Sequence, residues 1–366
     1  MAAKTTAFRS ARGRPADDEV DAGTRTGYPE ITLLRVAYSR SEEAMSLKPH
    51  LGVRILMKDK VDWEAVGPEE VVAMRAKAEK LTASPLLRLV TGRPDPGARI
   101  EERFLDLPGR RLRLRVFRPV HAEGPLPLVL SFHGGGFIGG APEQNDFVNS
   151  GMSAALGAVV VGVDYRLAPE HPIPAPVEDG IETLDALASD PFGWGVAPES
   201  IAVFGESAGG TIAEMMALRS REEGPKIRAQ VLANPATDWS VSFTDYPSVE
   251  RNAHQPGLSV PKFRRSADLA FPPHVDRGAY SPVTFASLAS APPALVVVGG
   301  LDMALDHGQR YVDRLREDGV DARIAVYPRA THGFISTPGL VPAAKPARAE
   351  VVSFLAERLR ERAHSR

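Results

Sequence analysis

Six short runs in this chain, residues 128–132, 159–163, 201–204, 231–233, 295–298 and 324–326, are rich in β-branched residues and apolar at almost every position. A strand with one wet face alternates apolar and polar residues. These do not, so both their faces are buried, as in a parallel sheet covered on two sides. Between the runs lie apolar residues at helical spacing, such as Val177, Ile181, Leu184 and Leu187, and the chain closes with Val352, Leu355 and Leu359 on one helical face. The alternation predicts an α/β fold, a mostly parallel central sheet with helices on both faces. Ahead of it, residues 101–107 and 112–117 flank Pro108-Gly109-Arg110 and read as a hairpin.

A chain of 366 residues suffices for one large α/β domain and a smaller piece. Its net charge of −2 gives no electrostatic case for a nucleic-acid partner, and a small neutral substrate fits better. With no cysteine, disulfides, thiol nucleophiles and Cys-based metal sites drop out, and a reducing compartment is compatible. No apolar run reaches the length of a membrane span, and the first residues lack the apolar block of a secretory signal, so the expected location is cytoplasmic. Lys4, Arg9, Arg12 and Arg14 precede Asp17, Asp18, Glu19 and Asp21, a charge-balanced pattern that predicts a poorly ordered arm over residues 1–30.

Residues 31–98 are expected to form an N-terminal cap region, although 31–60 show no clear pattern. Gly67-Pro68-Glu69-Glu70 places Pro and two acids where a helix begins, with Val71, Met74, Ala78 and Leu81 following at helical spacing. Its apolar face either covers the core or lines a substrate entrance. Residues 99–366 are assigned to the main domain. Within it, a proline-rich excursion at about 239–290, containing Pro247, Pro256, Pro261, Pro272 and Pro273, is expected to rise over the carboxyl ends of the strands as a largely helical cap or lid.

Gly205-Glu206-Ser207-Ala208-Gly209 lies where a strand-like run gives way to a helix-like one, the setting of a nucleophile elbow with Ser207 at its tip. With 32 glycines and 23 serines, chance alone places a Gly-x-Ser-x-Gly in about one such chain in six, so its neighbours must carry the assignment. His133-Gly134-Gly135-Gly136 is rarer, about one chain in 170, and follows an apolar strand. Consecutive glycines let backbone N–H groups converge on a forming oxyanion; Gly134 and Gly135 are the candidate donors, joined by Ala208. Asp302 and His332 each follow a later strand, at the same expected sheet edge as Ser207. Asp306 is the rival acid, also placed to cap the helix containing Val312 and Leu315. His50, His121, His254, His274, His307 and His364 lack metal-ligand spacing and are assigned surface or packing roles, with no metal site expected.

Together His133-Gly-Gly-Gly-Phe137, Asp164-Tyr-Arg-Leu-Ala-Pro-Glu-His-Pro172, Gly205-Glu-Ser-Ala-Gly-Gly210 and His332-Gly-Phe334 resemble the bacterial hormone-sensitive-lipase-like branch of the α/β-hydrolases, over residues 100–360. The resemblance implies an α/β-hydrolase fold, a cap, and a serine carboxylesterase for short to medium acyl chains, with Ser207, Asp302 and His332 as triad and no cofactor. It makes Tyr165, Arg166 and Glu170 a structural brace. The chain departs from the family at Glu206, where Asp is usual, at Thr211, where Asn is usual, and in Asp302-Met-Ala-Leu-Asp306-His307-Gly308, where the family has Asp-Pro-Leu-Arg-Asp-Glu-Gly. Amidase or acyltransferase chemistry could use the same triad. A ligand receptor on this scaffold, similar to the plant gibberellin receptors, would lack the histidine that His332 provides. The expected partner is a small-molecule ester, with no nucleic acid and no membrane span; a homodimer is left open.

Overall fold

The computed structural model describes residues 47–57, 61–82 and 84–360; the expected arm at 1–30, most of the 31–60 stretch and His364 lie outside them. The hairpin forms as expected, β1 (Ala98–Leu107) pairing antiparallel with β2 (Arg110–Pro119) across Pro108-Gly109. Then follow β3 (Leu126–Phe132), β4 (Val159–Val163), β5 (Val196–Glu206), β6 (Ile227–Ala233), β7 (Ala294–Gly299) and β8 (Ala322–Tyr327), in one sheet of order β1-β2-β4-β3-β5-β6-β7-β8. β2 meets β4 antiparallel, and every pairing from β4 through β8 is parallel.

Sequence explains which strands are outer and which inner. β2 alternates, with Leu112, Leu114 and Val116 buried between arginines. Arg113 meets Glu102, Glu143 and Asp164, and Arg115 meets Asp146, so the polar face of the hairpin is held by ion pairs. β4 is buried throughout. Along the inner strands successive residues enter opposite layers, Leu128, Leu130 and Phe132 in one and Val129 in the other.

Helices fill both layers. α1 (Pro68–Thr82) precedes the sheet; α2 (Asp146–Leu156), α3 (Ala175–Ser189), α4 (Ala208–Arg219), α5 (Pro247–Asn252), α6 (Val260–Ala270), α7 (Leu305–Glu317) and α8 (Ala344–Arg360) follow. α2 lacks the regular apolar spacing of α3, yet its Phe147, Val148 and Met152 pack with Val351, Phe354 and Leu355 of α8 on one face. Leu184 and Leu187 of α3, Ile212 and Met216 of α4, and Val312 and Leu315 of α7 pack on the other. Along the apolar face expected of α1, Val71 is buried, Met74 half-buried and Ala78 exposed, and Leu81 lies outside the side chains described. Arg75 anchors this helix instead, donating to the Ala168 carbonyl and to Glu170.

The excursion lies between β6 and β7 and contains α5 and α6, each with Pro in its first turn, where no N–H is needed. Trp239, Phe243, Phe263 and Phe271 from this segment close on Phe137 as a buried cluster, with Trp239 stacked on Phe263 at 4.8 Å.

One buried group stands against the stability of α4. Both carboxyl oxygens of Glu214 are buried and lack hydrogen-bond partners among the described residues. Desolvation therefore pushes its protonation well above the usual carboxylate range. The folded state holds this proton more tightly than the unfolded chain, so stability from this group is complete below the unfolded pKa and is lost as pH rises toward the folded one. Glu214→Gln is expected to match the parent near pH 4 and exceed it increasingly toward pH 8, by at most about 1.4 kcal/mol per pH unit, in denaturant titrations across that range.

Candidate active site

β5 ends at Glu206 and α4 begins at Ala208, leaving Ser207 alone in the turn with φ 53° and ψ −118°. A side chain at that φ is strained by about 1–3 kcal/mol and persists only if its surroundings hold it. They do: the Ser207 N–H donates to the Ala233 carbonyl at 2.9 Å, and the Ser207 carbonyl accepts from Gly210 at 2.9 Å and Ala236 at 3.2 Å. The turn also needs a bare backbone at Gly209, where a Cβ would fall 2.3 Å from the Phe132 carbonyl oxygen.

Strand register sets the partners at the same edge. Phe132 pairs with Gly205, Glu206 with Ala233, Ala233 with Val297 and Gly299 with Tyr327, so the segments after β3, β5, β6, β7 and β8 leave the sheet side by side. His332 Nε2 lies 2.8 Å from Ser207 Oγ, and His332 Nδ1 lies 3.0 and 2.9 Å from the two oxygens of Asp302. The carboxylate can only accept, so Nδ1 carries the proton toward it and Nε2 is left to accept from the serine hydroxyl.

Asp302 is buried, and its oxygens are fixed from further sides. Oδ1 accepts the Ala304 N–H at 2.9 Å, and Oδ2 accepts from Asn234 Nδ2. Asn252 Nδ2 donates to the Asp302 backbone carbonyl at 2.8 Å. Asp306 is not brought to His332. It accepts the Ser248 N–H at 2.7 Å, joining α5 to α7. Nor does it cap its helix as expected: Ala304 holds the N-cap position and Asp306 sits in the first turn, where a carboxylate still complements the helix dipole. His307 has the packing role assigned to it, buried against Tyr246 and Phe263, and burial lowers its pKa toward the neutral ring.

The glycine loop runs beside Ser207. A Cβ on Gly134 would sit 3.3 Å from Ser207 Cβ, and Gly135, at φ 131°, has the Gly139 carbonyl oxygen 2.0 Å from where its own Cβ would be. The N–H groups of Gly134, Gly135 and Ala208 donate to no group among the described residues. The loop is supported from beneath by the expected brace. The Tyr165 hydroxyl donates to the His133 carbonyl at 2.7 Å, and its ring stacks on His133 at 4.3 Å. Arg166 pairs with Asp179, and Glu170 with Arg75. Burial lowers the His133 pKa, favouring the neutral ring, and Nδ1 lies 2.8 Å from the Gly134 carbonyl.

Two of the three departures from the family pattern, Glu206 and Thr211, acquire partners beside the elbow. Glu206 is buried and accepts from Asn145 Nδ2 at 2.8 Å and from Ser336 Oγ at 2.5 Å, which ties the elbow to the start of α2 and to the loop after His332. Thr211 Oγ1 donates to the Ala236 carbonyl at 2.7 Å and accepts from Trp239 Nε1 at 2.9 Å. Asn145, Asn234 and Ser336 carried no signal in the sequence, because each is defined only by a partner distant in the chain. Among the described residues no group of His, Asp or Glu is arranged to hold a metal ion, and no helix is long and apolar enough to cross a membrane.

Residues 129–336 match the family described as alpha/beta hydrolase fold. Esterase LipI of Mycobacterium tuberculosis is 34% identical over 305 residues, covering 80% of this chain and 91% of its own length. Carboxylesterase NlhH of the same species is 34% identical over 286 residues, covering 76% and 86%. Among solved structures, an esterase of Pyrobaculum calidifontis is 31% identical with a TM-score of 0.74, covering 83% of this chain and 97% of that one. The chain belongs to the α/β-hydrolase family, in its bacterial hormone-sensitive-lipase-like branch.

Removing the Glu206 carboxylate leaves the buried Ser336 hydroxyl without its acceptor and takes one of two acceptors from Asn145 Nδ2, which also donates to Ser336 Oγ at 2.9 Å. Glu206→Ala is expected to lose about 1–3 kcal/mol of stability in urea unfolding, whereas Glu206→Gln, which keeps an acceptor oxygen, loses less.

Proposed function

We propose that the protein is a serine carboxylesterase that hydrolyses carboxylic esters of short to medium acyl chain through an acyl-enzyme. The observation that carries this reading is the continuous hydrogen-bond chain Ser207, His332, Asp302 beside three backbone N–H groups without other partners among the described residues. The names of its esterase relatives support it independently.

In this reading Ser207 Oγ attacks the ester carbonyl while His332 Nε2 takes its proton, and Asp302 holds the ring and stabilises the imidazolium. The carbonyl oxygen becomes an oxyanion and accepts from Gly134, Gly135 and Ala208; one such donor is typically worth about 3 kcal/mol in the transition state. The intermediate collapses, the carbon–oxygen bond to the alcohol breaks, and the alcohol leaves with the proton from His332. Water then attacks the acyl-enzyme with His332 again as base, releasing the acid and restoring Ser207. No step calls for a cofactor.

We also read the described residues of the 31–98 region from residue 49 onward, together with the 239–290 excursion, as a cap. Lys262 of α6 lies 5.4 Å over the Trp63 ring, linking the two parts, and the position of a Cβ on Gly257 is 3.0 Å from the His332 carbonyl oxygen. A cytoplasmic setting suits a chain without cysteine.

Ser207→Ala is expected to reduce p-nitrophenyl butyrate turnover by at least about a thousandfold with an unchanged circular dichroism spectrum. Asp302→Asn should cost about ten-thousandfold and Asp306→Asn only a few-fold; the reverse ranking would move the acid to Asp306. Full activity in Ser207→Ala would sink the reading. A panel of esters of rising acyl length, with matching anilides, reports both the acyl range and the preference for ester over amide.

A further inference from the structure

Asn234 is the first residue after β6 and the only side chain from that strand's end that reaches Asp302 among the described residues. Its φ of 47° is left-handed, a region Asn enters more readily than most side chains. Its N–H donates to the Val297 carbonyl at 2.8 Å, extending the β6–β7 ladder by one bond and fixing the backbone beside the acid. The side chain is fully buried, and Nδ2 donates to Asp302 Oδ2 while its own Oδ1 has no partner among the described residues.

The terminal torsion of an aspartate is soft, and one hydrogen bond to a histidine does not define it. In this site the Ala304 N–H engages Oδ1 and Asn234 engages Oδ2, so the plane of the carboxylate is pinned from both oxygens and the Nδ1 of His332 meets a fixed acceptor. The same turn also holds the nucleophile, since the flanking Ala233 carbonyl and Ala236 N–H bind the backbone of Ser207. One four-residue segment, 233–236, thus registers the first and last members of the hydrogen-bond chain against each other.

We infer that Asn234 is a positioning residue for the acid: its amide sets the orientation of Asp302, and through it that of His332, for the attack by Ser207. This rests on the serine-esterase reading above. A residue placed only to fill space would gain nothing from an amide whose oxygen is left unpaired, and an apolar side chain would serve that purpose better.

The test uses Asn234→Gly, because glycine accepts the left-handed φ without strain while the whole side chain, amide included, is removed. Steady-state kinetics on p-nitrophenyl butyrate, the rate of covalent labelling by a fluorophosphonate, and the thermal midpoint are measured on the full chain. The expected result is a kcat lower by about tenfold to a hundredfold with KM within about twofold, and labelling slowed in parallel. Asn234→Asp keeps the shape, loses the donor and sets a second carboxylate against Asp302; it is expected to lose kcat at least as strongly. Parent-like kcat and labelling in either folded variant overturns the inference, as does a loss that appears in KM alone. If the parent protein itself neither hydrolyses esters nor labels, the serine-esterase reading fails instead, so the two failures are distinguishable.

Discussion

Ser207 occupies a backbone conformation that a serine does not choose, and the parallel ladder around it makes that conformation the one available. Its N–H is spent on β6 through Ala233, its carbonyl on Gly210 and Ala236, and the neighbouring Gly209 lets α4 start directly against the end of β3. The strain is held by strands whose residues are buried on both faces, where a slip of one residue would send every side chain into the wrong layer. Precision at the serine is therefore a property of the sheet more than of the turn.

The rest of the site is attached to the same edge by buried polar contacts. Tyr165 fixes the glycine loop from below, Glu206 binds the elbow to the loop carrying His332, and Asn234 reaches from β6 to Asp302. Each contact joins segments that are distant in sequence, and each would be costly if half made, because a lone buried donor or acceptor has no water to turn to. The ion pairs of Arg113 and Arg115 do comparable work at the hairpin, tying β2 to Glu143 and to Asp146, the first residue of α2.

Strand positions were legible because buried parallel strands carry an unmistakable apolar signature, and all six runs lie within observed strands. Ser207, Asp302 and His332 were legible as residue types at strand ends, and the structure brings the three together. α2 was harder to see: its buried face includes Asn149, Ser150, Gly151 and Ser153, which blur the helical period. α1 shows the opposite case, a periodic pattern in which Ala78 is exposed while a charged side chain, Arg75, anchors the helix to Glu170. Asn145, Asn234 and Ser336 are ordinary polar residues in the sequence, and only the closing of the fold gives them their partners.

The aromatic cluster of Phe137, Trp239, Phe243, Phe263 and Phe271 bears on how the molecule can move. Four of these rings belong to the excursion and the fifth to the segment that follows the three glycines. Swinging the excursion away as a hinged flap would bring the rings into water at roughly 1.5–3 kcal/mol each, and would pull on Phe137 as it went. Such an opening approaches the stability of a whole domain. The excursion is thus tied down by its own aromatic rings, and a wholesale swing of the segment is far costlier than small fluctuations of its side chains.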